Sequence, residues 1–221
     1  MTNKKAFLFD LNGTMVDDMT YHIKAWHRIM NDNGAGISLE RMKAECYGKN
    51  EEVIERILPG KFSMAEKTAM GLAKEKQYQH EFRPYLQLLP GLNEFLQKAK
   101  QQHIKMAIGT AAIMSNVDFV LDGLNIRSYF EALISADEVT KSKPDPETYL
   151  LCAAQLHVAA EQCIVFEDAP KGVECAARAG MQAVVLTTMH EAWEFTVFDN
   201  VLMIINDYTD TKLAALFDAA V

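Results

Sequence analysis

The chain reads as an α/β protein, a doubly wound parallel sheet with a small all-helical domain inserted after the first strand. Three observations predict this. A short apolar run, Ala6 to Phe9, ends at Asp10 and an Asn12-Gly13-Thr14 turn. Residues 16–86 then keep a helical period throughout. From about residue 92 onward, apolar strand runs alternate with helical segments, which is the pattern of repeated βα units.

The insert justifies itself element by element. Tyr21, Ala25, Ile29 and Met30 share one helical face, and Asn33-Gly34 with Gly36 stops that helix. Ser38 caps a second helix and Asn50 a third, whose apolar positions are Val53, Ile54, Ile57 and Leu58 before Pro59-Gly60. Ser63 with Glu66 forms a capping box for a long charged helix to about Phe82. Arg83-Pro84 and Leu89-Pro90-Gly91 mark the return to the sheet. The boundaries follow: 1–15 and 87–221 form the α/β core, and 16–86 the helical insert.

In the core, strands are expected at Lys105–Gly109, Ala132–Ser135, Cys163–Phe166, Ala183–Leu186 and Val201–Ile205. Helices are expected at Leu92–Gln101, Asn116–Leu124, Pro146–Gln155 and Gly172–Ala179, with one more at the C-terminus. No internal repeat or low-complexity segment interrupts them.

Composition narrows the function. A net charge of −8 over 221 residues argues against a nucleic-acid or membrane surface, so an anionic ligand must meet a local basic cluster. The four cysteines, Cys46, Cys152, Cys163 and Cys175, have neither Cys-x-x-Cys nor zinc spacing and read as reduced thiols of a cytoplasmic protein. Met1-Thr2-Asn3-Lys4-Lys5 lacks an apolar signal-peptide core, and no apolar run is long enough to span a bilayer.

Four signals gather at one predicted sheet edge, where open α/β sheets bind ligands. Asp10 is a carboxylate able to attack phosphorus. Thr110, in Ala107-Ile108-Gly109-Thr110-Ala111, offers a hydroxyl and a backbone N–H to phosphate oxygens. Lys143, in Lys143-Pro144-Asp145-Pro146, is a cation in an X-Pro setting. Glu167-Asp168 ends a strand with two oxygen donors suited to Mg²⁺. Taken singly, each has a plain reading as a turn or a solvated loop.

Taken together and in this order, the four resemble the motifs of the haloacid dehalogenase superfamily. Within it the chain is similar to β-phosphoglucomutase and the sugar-phosphate phosphatases, on the helical insert directly after the first motif and on Tyr21-His22 with Ala25-Trp26. The resemblance implies a Rossmann-like core with a cap domain, and Asp10 as nucleophile and Mg²⁺ ligand. It further implies a metal contact by the backbone carbonyl of Asn12, Asp168 as another metal ligand, and Glu167 supporting the metal directly or through water. Thr110 and Ala111 with Lys143 would hold the phosphoryl group. His22, Lys49 and Lys76 are the candidates on the cap for substrate contact. The implied partner is a small phosphorylated metabolite such as a hexose phosphate, and the implied state a monomer.

Two positions depart from that pattern. The family's second aspartate, its general acid and base, is here Asn12, an amide that cannot exchange a proton in that way. This leaves open a slow or altered enzyme, a protein that binds phosphorylated ligands without turnover, and a substitution introduced to stall the reaction. In the cap, Glu51 stands where mutases of this type carry a phosphate-gripping arginine; Lys49 supplies a charge nearby but not the bidentate geometry. That favours a phosphatase over a mutase. A metal-free dehalogenase, which also lacks the second aspartate, fits less well because Glu167-Asp168 are retained.

Overall fold

In a computed structural model of the chain, residues 5–217 are described. The segment Met1-Thr2-Asn3-Lys4 lies outside them. Two compact units divide the chain, one ending at Asp17 and resuming at Gln87, the other running Asp18–Leu86.

The first unit is built on a six-stranded sheet. The strands are β1 (Ala6–Phe9), β2 (Lys105–Gly109), β3 (Ala132–Ile134), β4 (Cys163–Glu167), β5 (Gln182–Leu186) and β6 (Val201–Ile205), in the order β3-β2-β1-β4-β5-β6. Every pairing is parallel. A central parallel strand is covered on both faces, which is why β1 is apolar at every position and fully buried.

Strand alternation sorts its side chains into two cores. Phe7 and Phe9 face an aromatic cluster with Phe95, Phe166, Tyr208 and Phe217; Phe9 stacks on Phe166 at 4.7 Å. Ala6 and Leu8 face Tyr149, Cys152, Val173 and Cys175. The helices of this unit include α5 (Leu92–Gln101), which carries Phe95, α6 (Met114–Gly123), α7 (Glu147–Gln155), which carries Tyr149 and Cys152, and α8 (Pro170–Arg178), which carries Val173 and Cys175.

Strand order reverses between β1 and β4, so the loops after these two strands part and leave a crevice. Asp10 follows one and Glu167 ends the other.

Asp18–Leu86 holds α1 (Met19–Asp32), α2 (Leu39–Glu45), α3 (Asn50–Ile57) and α4 (Met64–Phe82). Ser38 Oγ accepts from the Arg41 N–H, and Ser63 with Glu66 closes the expected capping box. The third cap is displaced by one residue. Asn50 is the first helical residue and Lys49 the cap position, because Glu52 reaches back to the Lys49 N–H at 3.1 Å. The Asn50 side chain lies instead beside Gly71 of α4, where an added Cβ would come within 3.0 Å of it.

Elsewhere the differences are small. α8 begins at Pro170, two residues before the expected Gly172, since proline suits the first helical position. The expected C-terminal helix is a 3₁₀ segment, Thr211–Leu216, within the described residues.

Candidate active site

The turn after β1 is pinned before any side chain is considered. The Asp10 N–H donates to Phe166 O, Gly13 N–H to Val16 O and Met15 N–H to Leu11 O. The Thr188 hydroxyl donates to Gly13 O at 2.6 Å, and the Tyr208 hydroxyl to Thr14 O at 3.2 Å.

Two glycines then make room for the acids. Gly13 has φ +76°, and a Cβ there would fall 2.1 Å from Asp168 Oδ2. A Cβ on Gly172 would fall 1.8 Å from Glu167 Oε1. Backbone and carboxylate thus occupy space that any other residue would fill.

Lys143 is the cation of the site. Its Nζ donates to Asp10 Oδ1 at 2.7 Å, to Glu167 Oε1 at 2.6 Å and to the Tyr149 hydroxyl at 2.9 Å. Burial works against its charge, but Asp10 and Glu167 outweigh that and hold its pKa above the ordinary lysine value. Glu167 Oε2 accepts from the Asp168 and Ala169 N–H groups at 3.0 and 3.1 Å. Asp168 is 4 % exposed, with the Thr14 hydroxyl 3.4 Å from Oδ1. Its burial, followed by the charges of Glu167 and Asp10, raises its carboxyl well above the usual range.

These groups fit a hard divalent cation. Asp10, Glu167 and Asp168 each offer an oxygen, and the three oxygens lie within 4.8 Å of one another. An all-oxygen set is what Mg²⁺ prefers. Three carboxylates facing one ammonium also leave two negative charges unbalanced, which adds to the burial that holds Asp168 back from ionising.

The remaining candidates are placed as follows. Thr110 directly follows β2 on the same sheet edge, buried, its Oγ1 accepting from the Ala112 N–H at 3.1 Å, with Ala111 in the bend between them. Asn12 is half-buried in the turn after β1, where its backbone bridges to Val16. His22, Lys49 and Lys76 belong to the helical unit.

There His22 is engaged within its own unit. Lys74 Nζ lies 2.6 Å from its Nδ1. Nε2 is 3.6 Å from Asp18 Oδ2, and the ring stacks on Tyr78 at 3.7 Å. Lys74 is also 3.1 Å from Glu75, and the Tyr78 hydroxyl donates to Asp18 at 2.5 Å. Lys76 is exposed, so the buried lysine of α4 is its neighbour Lys74.

Tyr149, Lys74, Asp18 and Tyr78 escape sequence reasoning. The one available signal was that a tyrosine placed early in a helix behind Lys143-Pro144 must find a partner for its hydroxyl when buried.

Residues 7–186 match the family of haloacid dehalogenase-like hydrolases. The chain belongs to that family. Among haloacid dehalogenase-like proteins it is 32% identical to fructose-1-phosphate phosphatase YqaB of Escherichia coli over 181 residues, covering 81% of this chain and 94% of the relative. It is 34% identical to β-phosphoglucomutase of Bacillus subtilis over 199 residues, covering 81% and 82%. The crystal structure of β-phosphoglucomutase from Clostridium difficile superposes with a TM-score of 0.84 at 25% identity, covering 98% of this chain and 97% of that one. Sugar-phosphate phosphatases and a phosphomutase are therefore among the relatives of this haloacid dehalogenase-like chain. Among the described residues no helix is long and apolar enough to cross a membrane.

Proposed function

We propose that the chain is a Mg²⁺-dependent phosphotransferase, a phosphatase in the first place and a phosphomutase in the second, acting on a small phosphorylated metabolite such as a hexose phosphate. The observation that carries this reading is the meeting of Asp10 with Lys143 and of both with Glu167 and Asp168. The phosphatase and phosphomutase relatives support it.

In this reading a carboxylate oxygen of Asp10 attacks phosphorus in line with the ester oxygen. The new O–P bond forms an aspartyl-phosphate as the ester P–O bond breaks, and the alcohol leaves with a proton from solvent. Water then attacks the phosphorus, restores the Asp10 carboxylate and releases inorganic phosphate. Lys143 neutralises charge on the transferring group, while the Thr110 hydroxyl and the Ala111 N–H orient its oxygens. Asp10, the Asn12 carbonyl and Asp168 would hold Mg²⁺, with Glu167 in support, and the ion supplies charge neutralisation at the phosphoryl oxygens. Asn12 cannot lend or recover a proton, so the alcohol leaves unaided and the water arrives unactivated. The helical unit serves as a cap that excludes water and selects substrate, with His22, Lys49 and Lys76 as its contacts. We place the protein in the cytoplasm as a monomer, without nucleic-acid or membrane partners.

Asn12 also favours a second reading, a protein that binds phosphorylated ligands without turning them over. Phosphate release from a panel of sugar phosphates, pyrophosphate and an aryl phosphate, with and without Mg²⁺, separates the two. In the catalytic reading Asn12→Asp gains ~10²-fold or more with Mg²⁺, the usual worth of a general acid–base group. Aryl phosphate, with its good leaving group, is then the best substrate of the unchanged chain. Thermal stabilisation by a sugar phosphate with no release from either form would overturn turnover and leave binding.

A further inference from the structure

We propose that Tyr149 is a positioning residue of this site, its hydroxyl dividing Lys143 between Asp10 and Glu167 so that a divalent cation can share their oxygens. The inference rests on the phosphotransferase reading above and adds to it a residue that takes no part in the chemistry itself.

The argument begins with a count of donors and acceptors. A lysine ammonium has three N–H groups, and here they go to Asp10 Oδ1, Glu167 Oε1 and the Tyr149 oxygen. Tyr149 passes its own proton to Glu167 Oε1 at 2.9 Å. Glu167 therefore receives two donors on Oε1, Lys143 and Tyr149, and two on Oε2, the N–H groups of Asp168 and Ala169. Four donors on one carboxylate fix its orientation, so Glu167 keeps its oxygens beside those of Asp10 and Asp168.

Tyr149 itself has no freedom to leave. It is fully buried, its ring centroid lies 4.7 Å from the Lys143 ammonium, and Gly109 packs against the ring. A Cβ on Gly109 would come 3.0 Å from the ring and 2.9 Å from Cys152 Sγ.

Removing only the hydroxyl shows what it does. A phenylalanine keeps the ring and its contact with the ammonium, yet frees one N–H of Lys143 and one lone pair of Glu167. The ammonium then turns to the two carboxylates, the same oxygens a cation needs. Partners one step behind metal ligands are typically worth 10- to 100-fold in metal affinity. The low end suits a single neutral hydroxyl.

The test is titration calorimetry of the full chain with MgCl2, alongside circular dichroism, for the unchanged protein, Tyr149→Phe and Gly109→Ala. Tyr149→Phe is expected to fold and to bind Mg²⁺ ~10-fold more weakly. Gly109→Ala keeps the hydroxyl but crowds the ring, and is expected to lose affinity in the same direction by less. It carries the test should Tyr149→Phe not fold. Equal Mg²⁺ affinity in the unchanged chain and in the folded variants overturns the role of Tyr149 while leaving the phosphotransferase reading intact. Absence of Mg²⁺ binding by the unchanged chain overturns both.

Discussion

Lys143 places its ammonium 2.7 Å from Asp10 Oδ1, joining residues 133 positions apart in the chain. Their side chains are only 9 % and 11 % exposed, so neither charge is well served by water. Removing one partner of a buried pair typically costs about 3–5 kcal/mol, because the other charge is left uncompensated. Lys143→Ala should therefore be strongly destabilised in chelator. Added Mg²⁺ should recover much of that loss, since it neutralises the same carboxylates. Urea melts with EDTA and with Mg²⁺ check this, and phosphate release should fall ~10²-fold or more even with the metal bound.

Gly172→Ala sets two effects against each other. Alanine in place of a helical glycine is worth about 0.5–1 kcal/mol by propensity. Here the added Cβ would meet Glu167 Oε1 at 1.8 Å, and overpacking of this kind costs about 1–3 kcal/mol. The clash should win. The variant should melt below the unchanged chain and bind Mg²⁺ more weakly, because Glu167 has to move. A higher melting temperature with unchanged Mg²⁺ affinity would show that the carboxylate has another place to go.

Cys46 gives a pH-dependent readout from the helical unit. It is half-buried, whereas Cys152, Cys163 and Cys175 are buried. Burial, with Glu75 and Asp18 adding to it against Lys74 and Arg56, pushes its pKa up from 9.0 to about 11. A raised thiol pKa means less thiolate at any pH below it, roughly 100-fold less at neutral pH for two units. Native protein should thus react slowly with Ellman's reagent at pH 7.5, and the rate should climb about tenfold per pH unit until near pH 11. All four thiols should react promptly after unfolding in guanidinium. Fast reaction of one thiol in the native chain at pH 7.5 would contradict this.

Much of the architecture was legible because the signals are local. The five later strands were read from apolar runs, and β2 and β6 fall at the expected residues. Ser38 and Ser63 announce their helices by chemistry within one turn. Asn50 misled by one residue because Glu52 reaches back to the Lys49 N–H, and the Asn50 side chain lies beside Gly71 of a later helix. At the site, Asp10, Thr110, Lys143 and Glu167-Asp168 stand out because each ends a strand or sits in a recognisable turn. Tyr149 does not, since its partners Lys143 and Glu167 meet it only through the packing of α7 on the sheet.

The amino-acid order by itself determined the βα alternation, the place of the helical insert and the four groups at the sheet edge, because periodicity and turn chemistry act over a few residues. Only the tertiary structure decided how those groups share protons and charge. It set one ammonium among two carboxylates and a tyrosine, gave Gly13 and Gly172 the task of clearing space for Asp168 and Glu167, and put Lys74 rather than Lys76 against His22. Hydrogen bonds reach about 3 Å, and which side chains come within that reach across a hundred residues or more is settled by packing, not by spacing along the chain.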